Sequence, residues 1–170
     1  DKLIRRLRYL WTWELFDSLF FPALLLFMSR ALHKPLGLFS ITSVALVTWI
    51  LWQGAAYWWL KLRALRTNSE IATKHLQGFK VLKHINWAFI GLLPVLLIIQ
   101  GLRSTLFTSS LDFIAGLGLY LLAVLEQVNY YHYQLMYDTA ADWRYLKTHK
   151  RPKCSKLYQD LSELRSTGSP

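Results

Sequence analysis

The sequence predicts an all-α integral membrane protein, a bundle of four transmembrane helices. Three observations carry this prediction. Hydrophobic residues make up 54% of the 170 positions, aromatics 15%, and the mean hydropathy is +0.23, too apolar for a soluble domain of this size. The apolar character is gathered into four stretches, near 14–34, 38–62, 81–102 and 110–132, each close to the roughly 20 residues that cross a bilayer as a helix. Finally, the charges fall between these stretches rather than along one face, so the formal net charge of +10 follows a membrane pattern and nucleic acid is excluded as a partner.

The first stretch is led in by DKLIRRLRYLWTW, which places Leu3, Leu7, Leu10 and Trp11 on one helical face with Arg5, Arg6 and Arg8 mostly elsewhere. That is an interfacial amphipathic segment. The first span follows, with Asp17 early in it and Pro22 as a point of kinking. A short turn at His33, Lys34, Pro35 and Gly37 leads into the second span, so the two form an antiparallel hairpin. Between Lys61 and Lys83 the chain is polar, and Asn68 or Ser69 before Glu70 predicts a helix cap there. The third span contains Pro94, tolerated in a membrane where a neighbour can satisfy the carbonyl it frees. Ser109 with Asp112 predicts a capping box opening helix 4, with Asp112 complementing the dipole of that helix.

No breaker interrupts NYYHYQLMYDTAADWRYLK, so helix 4 is expected to extend past the membrane toward Lys147. Residues 1–147 are thus expected to form a single transmembrane helical domain. Residues 148–170 are expected to form a basic segment with a short amphipathic helix, KLYQDLSELR, placing Leu157, Leu161 and Leu164 on one side. That helix has two candidate seats: the membrane surface, or the loop between spans 2 and 3.

The basic residues set the topology. Lys2, Arg5, Arg6 and Arg8 precede span 1, a second group surrounds Lys61 to Lys83, and a third follows span 4; only Arg30, Lys34 and Arg103 fall on the opposite side. The asymmetry predicts cytoplasmic termini in a bacterial inner membrane whose anionic leaflet faces the basic clusters. Most interfacial Trp residues fall on that same side.

Polar residues of all four spans gather at one depth near the predicted cytoplasmic boundary: Glu14 and Asp17 on helix 1, Gln53 and Tyr57 on helix 2, His84 and Asn86 on helix 3, and Glu126, Asn129 and Tyr130 on helix 4. On helix 4, Glu126, Asn129, Tyr130, Tyr133 and Tyr137 share one stripe. Lys61, one helical step from Tyr57, is the candidate charge partner of Glu126 or Asp17, with His84 as the other option. Ionisable groups at this depth face the bundle, pair or line a wet cavity. Three readings follow: polar groups that lock the helices by satisfying one another, a ligand or proton pocket open to the cytoplasm, or a metal site. The last lacks the Glu-x-x-His spacing of bundle metal centres, so no metal and no cofactor is expected. The single cysteine, Cys154, makes an intramolecular disulfide impossible.

The function expected is ligand or partner binding at a polar, aromatic-lined cytoplasmic vestibule centred on Glu126. An accessory or assembly subunit is the alternative, with a membrane-protein partner and a second copy both open as its companion. An oligomeric transporter, or an enzyme acting on lipid or quinone, is a third class. No nucleophile elbow, phosphate loop or HExxH motif assigns a reaction.

Overall fold

The computed structural model describes residues 2–103, 107–137 and 140–167. Over these residues the chain forms α1 (Lys2–Ala31), α2 (Leu38–Arg66), α3 (Thr73–Arg103), α4 (Ser110–Tyr131), α5 (Ala140–His149) and α6 (Lys156–Thr167). The first four are long and apolar enough to cross a membrane. The chain is an all-α membrane protein, as its composition predicts.

Helix α2 is the axis of the molecule. It packs along both α1 and α4, and meets α3 over a shorter stretch. Its Val47, Ile50, Leu51 and Tyr57 form the core with Ala123, Tyr130 and Tyr131 of α4 and Phe79, Ile90 and Leu93 of α3. By contrast α1 buries only Leu7, Ser18 and Leu25, the single seam of a helix that leans on one partner. The amphipathic lead-in and the first span are continuous: α1 has 30 residues, about 45 Å at 1.5 Å per residue. That exceeds the roughly 30 Å hydrocarbon core, so its arginine-bearing first turns lie outside it. The helix runs unbroken through Pro22, as α3 does through Pro94. The carbonyl of Ile90, which Pro94 leaves without its helical donor, accepts the Tyr120 hydroxyl of α4 at 3.0 Å.

Three polar non-glycine residues end helices. His33, Asn68 and Lys150 take left-handed φ values of 51°, 47° and 49° just past α1, α2 and α5. At the first two, the next residue's N–H returns to a carbonyl in the last turn, Lys34 to Ser29 and Ser69 to Ala64, the Schellman arrangement. Asn68 therefore closes α2 rather than opening the next helix, and α3 begins at Thr73 instead of near Glu70.

Asp112 does more than open α4. Ser109 caps that helix, its hydroxyl accepting from the Asp112 N–H at 3.1 Å. The Asp112 carboxylate turns away to the neighbouring hairpin, where Oδ1 accepts from the N–H groups of Gly37 (3.1 Å) and Ser40 (2.8 Å) at the start of α2, and Oδ2 accepts from Thr108 N–H (3.1 Å). One buried carboxylate thus ties two helix N-termini together. A side chain at position 37 would start 2.2 Å from Asp112 Oδ2, which is why glycine stands there.

The expected extension of helix 4 does not form: α4 ends at Tyr131. The N–H groups of His132 and Tyr133 both return to Val128 O at 2.9 Å, and the chain leaves the helix to pair with the segment around Cys154. Gln134 N–H donates to Lys153 O (2.8 Å) and Ser155 N–H to His132 O (3.1 Å). The freed helix-end carbonyls are taken up by distant residues, Tyr130 O by the Ser155 hydroxyl and Tyr131 O by Lys83 Nζ (3.3 Å). The stop is tertiary, which is why no glycine or proline marks it. Ser155 then accepts from Tyr158 N–H at the start of α6. That amphipathic helix folds back on the bundle, packing Leu157, Leu161 and Leu164 against the core beside α3 and α4.

Candidate functional site

The polar residues at the end of the bundle that carries both chain ends, hereafter the basic end, separate into three groups. The innermost is neutral. Asn86 on α3 accepts from Gln53 Nε2 (3.0 Å) and Trp49 Nε1 (3.1 Å) on α2, and its own amide donates to Gln53 Oε1 (2.8 Å) and Gln127 Oε1 (2.8 Å). Gln127 Nε2 donates to Lys83 O (3.1 Å) and the Tyr131 hydroxyl to Gln53 Oε1 (2.7 Å). Asn86, Gln127 and Tyr131 are 0% exposed. These are buried groups that satisfy one another across three helices, the arrangement by which membrane helices are held in register. Gln53 belongs to this lock and not to a site with Glu126. Gln127 and Tyr131 escape the sequence reading because each sits beside a more conspicuous residue, although both fall on the stripe of Ala123.

The second group is acidic and lies between α1, α2 and α4. Glu14 comes within electrostatic reach of Glu126 and Asp17, and beside it lie Tyr130 and the Trp58 indole. Glu126 accepts from Asn129 Nδ2 at 3.3 Å, while Asn129 Oδ1 accepts the Leu135 N–H at 2.9 Å. The Tyr130 ring is inserted where α2 carries Gly54, whose Cβ, if present, would lie 2.4 Å from the phenol oxygen. Tyr130 is 4% exposed and its hydroxyl is turned toward both glutamates, near enough to interact with each carboxylate. Among the described residues none of the three carboxylates forms an ion pair. Carboxylates sharing a partly dehydrated site repel unless a cation or a proton joins them.

The third group is drawn away from the acidic one, chiefly by α6. Lys61, predicted to pair with Glu126 or Asp17, instead meets Asp160 of α6 at 2.7 Å. Tyr57 donates its hydroxyl to the same carboxylate oxygen at 2.9 Å. Both residues leave the candidate site because α6 folds back, a return that local sequence does not announce. His84 faces outward, its Nδ1 against Lys80 O at 2.8 Å. Tyr133, predicted to continue the helix 4 stripe, lies beyond the end of α4 and is 47% exposed. His132, just past α4, is held below the ordinary imidazole range by burial and by Lys83.

Of the predicted ligand residues, Glu14, Asp17, Glu126, Asn129 and Tyr130 therefore come together, joined by Trp58 and shaped by Gly54. Gln53, Tyr57, His84, Tyr133 and Lys61 do not join them. Among the described residues no three His, Cys, Asp or Glu side chains are arranged to hold a metal ion. Compared with known proteins, the chain matches no family model, no curated protein and no solved structure.

Proposed function

We propose that this membrane protein binds a small cationic ligand, one bearing an ammonium or similar organic cation, between α1, α2 and α4 at the basic end of the bundle. The observation that carries the reading is the clustering itself: the buried Tyr130 hydroxyl stands between Glu14 and Glu126, two carboxylates that form no ion pair among the described residues. An ammonium there would complete all three groups, donating to the carboxylates and to the phenol oxygen. The distribution of lysine and arginine supports a cytoplasmic placement for this end, with both termini inside a bacterial inner membrane.

The test is thermal unfolding of the detergent-solubilised full chain with methylammonium, tetramethylammonium and spermidine, since a ligand of the native state raises the midpoint by mass action. At least one probe is expected to raise it, with the rise lost in Glu14→Gln and Glu126→Gln and retained in His84→Gln. Gly54→Ala, which pushes Tyr130 aside without altering a carboxylate, is expected to weaken the rise. A protein indifferent to all three cations, or a rise that survives both glutamate substitutions, refutes the reading.

A further inference from the structure

The short contact between α2 and α3 leaves a groove between them, occupied by two adjoining cavities that share Trp49 as a wall. The first, about 380 Å³, is walled by residues such as Leu46, Leu93 and Leu97; the hydroxyl of Thr42, its one polar side chain apart from the Trp49 indole, is already spent on Leu38 O at 2.6 Å. The second, about 370 Å³, lies toward the basic end and ends in a mouth bearing Trp52, Lys74 and His75. Lys74 and His75 are exposed and form no ion pair among the described residues. The wall is rigid where the cavities meet, because the Trp49 indole is anchored to Asn86. Gly78 lines this mouth, and a Cβ there would stand in open space with nothing within 4 Å.

The groove therefore has an amphiphile's polarity, cationic at one end and apolar beyond it. Its depth selects the occupant. From Lys74 to Phe89, which lines the first cavity, α3 rises about 22 Å at 1.5 Å per residue, and half of a bilayer with its headgroups is about 20–22 Å. A phosphate at Lys74 and His75 would thus have an acyl chain reaching the depth of Phe89, inside the first cavity. We propose that the α2/α3 groove is a binding site for one anionic phospholipid of the leaflet at the basic end, with the headgroup phosphate between Lys74 and His75 and one acyl chain lying past Trp52 and Trp49. Cationic pockets between membrane helices hold anionic headgroups by charge, and the adjoining slot, lined almost wholly by apolar side chains, accepts an acyl chain without stranding a polar group. This site is on the opposite side of α2 from the acidic group and stands independently of it.

Native mass spectrometry of the delipidated full chain, with phosphatidylglycerol and phosphatidylcholine of identical acyl chains supplied together, tests the site. The expected result is a one-to-one phosphatidylglycerol adduct favoured at least tenfold over phosphatidylcholine. Lys74→Gln combined with His75→Gln is expected to bring that preference close to unity. Gly78→Leu, which fills the mouth where the fold leaves open space, is expected to abolish the adduct of either lipid while wild-type helicity is kept. Equal retention of the two lipids by the wild type overturns the proposal. So does a preference that persists in the Lys74/His75 double variant, which would trace it to the overall positive charge, and so does an adduct unaffected by Gly78→Leu.

Discussion

Replacing Asp112 separates a local cap from a tertiary staple. Were this residue only a first-turn acid of α4, its removal would cost about 0.3–1 kcal/mol. In the structure its two oxygens hold three backbone N–H groups, those of Gly37, Ser40 and Thr108, at 2.8–3.1 Å. Asp112→Ala orphans all three at a place where the side chain is 1% exposed. Each buried donor left unpaired costs roughly 1–3 kcal/mol. Water at the membrane boundary recovers part of this, so the expected loss is about 3–5 kcal/mol, the range for removing one partner of a buried charge. Asp112→Asn keeps one acceptor oxygen and is expected to cost about half as much. Gly37→Ala attacks the staple from the other side, because its Cβ would stand 2.2 Å from Asp112 Oδ2 and 2.4 Å from Thr108 Oγ1. Its cost and that of Asp112→Ala are expected to sum to more than the double variant shows, since both destroy one network. Reversible unfolding by increasing dodecyl sulfate fraction in mixed micelles, followed by far-ultraviolet circular dichroism, measures each value. A loss below about 1 kcal/mol for Asp112→Ala, within the local-cap range, or a silent Gly37→Ala, refutes the staple.

Asn86→Leu removes four side-chain hydrogen bonds at once. Interhelical bonds in membranes average about 0.6 kcal/mol, so the same unfolding titration should show a loss of about 2–3 kcal/mol, and less than additive behaviour with Gln53→Leu. Asp160→Ala removes both Lys61 and Tyr57 as anchors of α6. A release of about 1–2 kcal/mol raises the undocked population five- to thirtyfold, read as faster tryptic cleavage near Lys153 with the bundle intact; cleavage at the wild-type rate would show that Leu157 and its neighbours hold the helix alone.

The acidic group and the neutral lock illustrate how far local spacing carries. Glu14, Asp17, Glu126, Asn129 and Tyr130 were legible as site candidates because an ionisable or multiply polar residue in an apolar run is costly and therefore conspicuous. Their partners Trp58 and Gly54 were not, since an interfacial tryptophan and a helical glycine have commonplace explanations in any membrane helix. Gln53 and Glu126 both looked inward, yet α2 sits centrally and shows one face to α1 and another to α3, so residues at one depth end in separate groups. Depth follows from chain position; the azimuth at which each helix is turned follows from packing.

The amino-acid sequence by itself determined the membrane class, the four spans, the charge asymmetry and the cap at Ser109, because apolar length and helix-start chemistry act over a few residues. Only the tertiary structure decided that α4 stops at Tyr131, that Asp112 serves α2, and that Lys61 and Tyr57 belong to α6. Each of these turns on a partner distant in the chain, such as Ser155 for Tyr130, 25 positions away, or Asp160 for Lys61. A helix end or a charge pair completed across such a separation has no local preference to betray it.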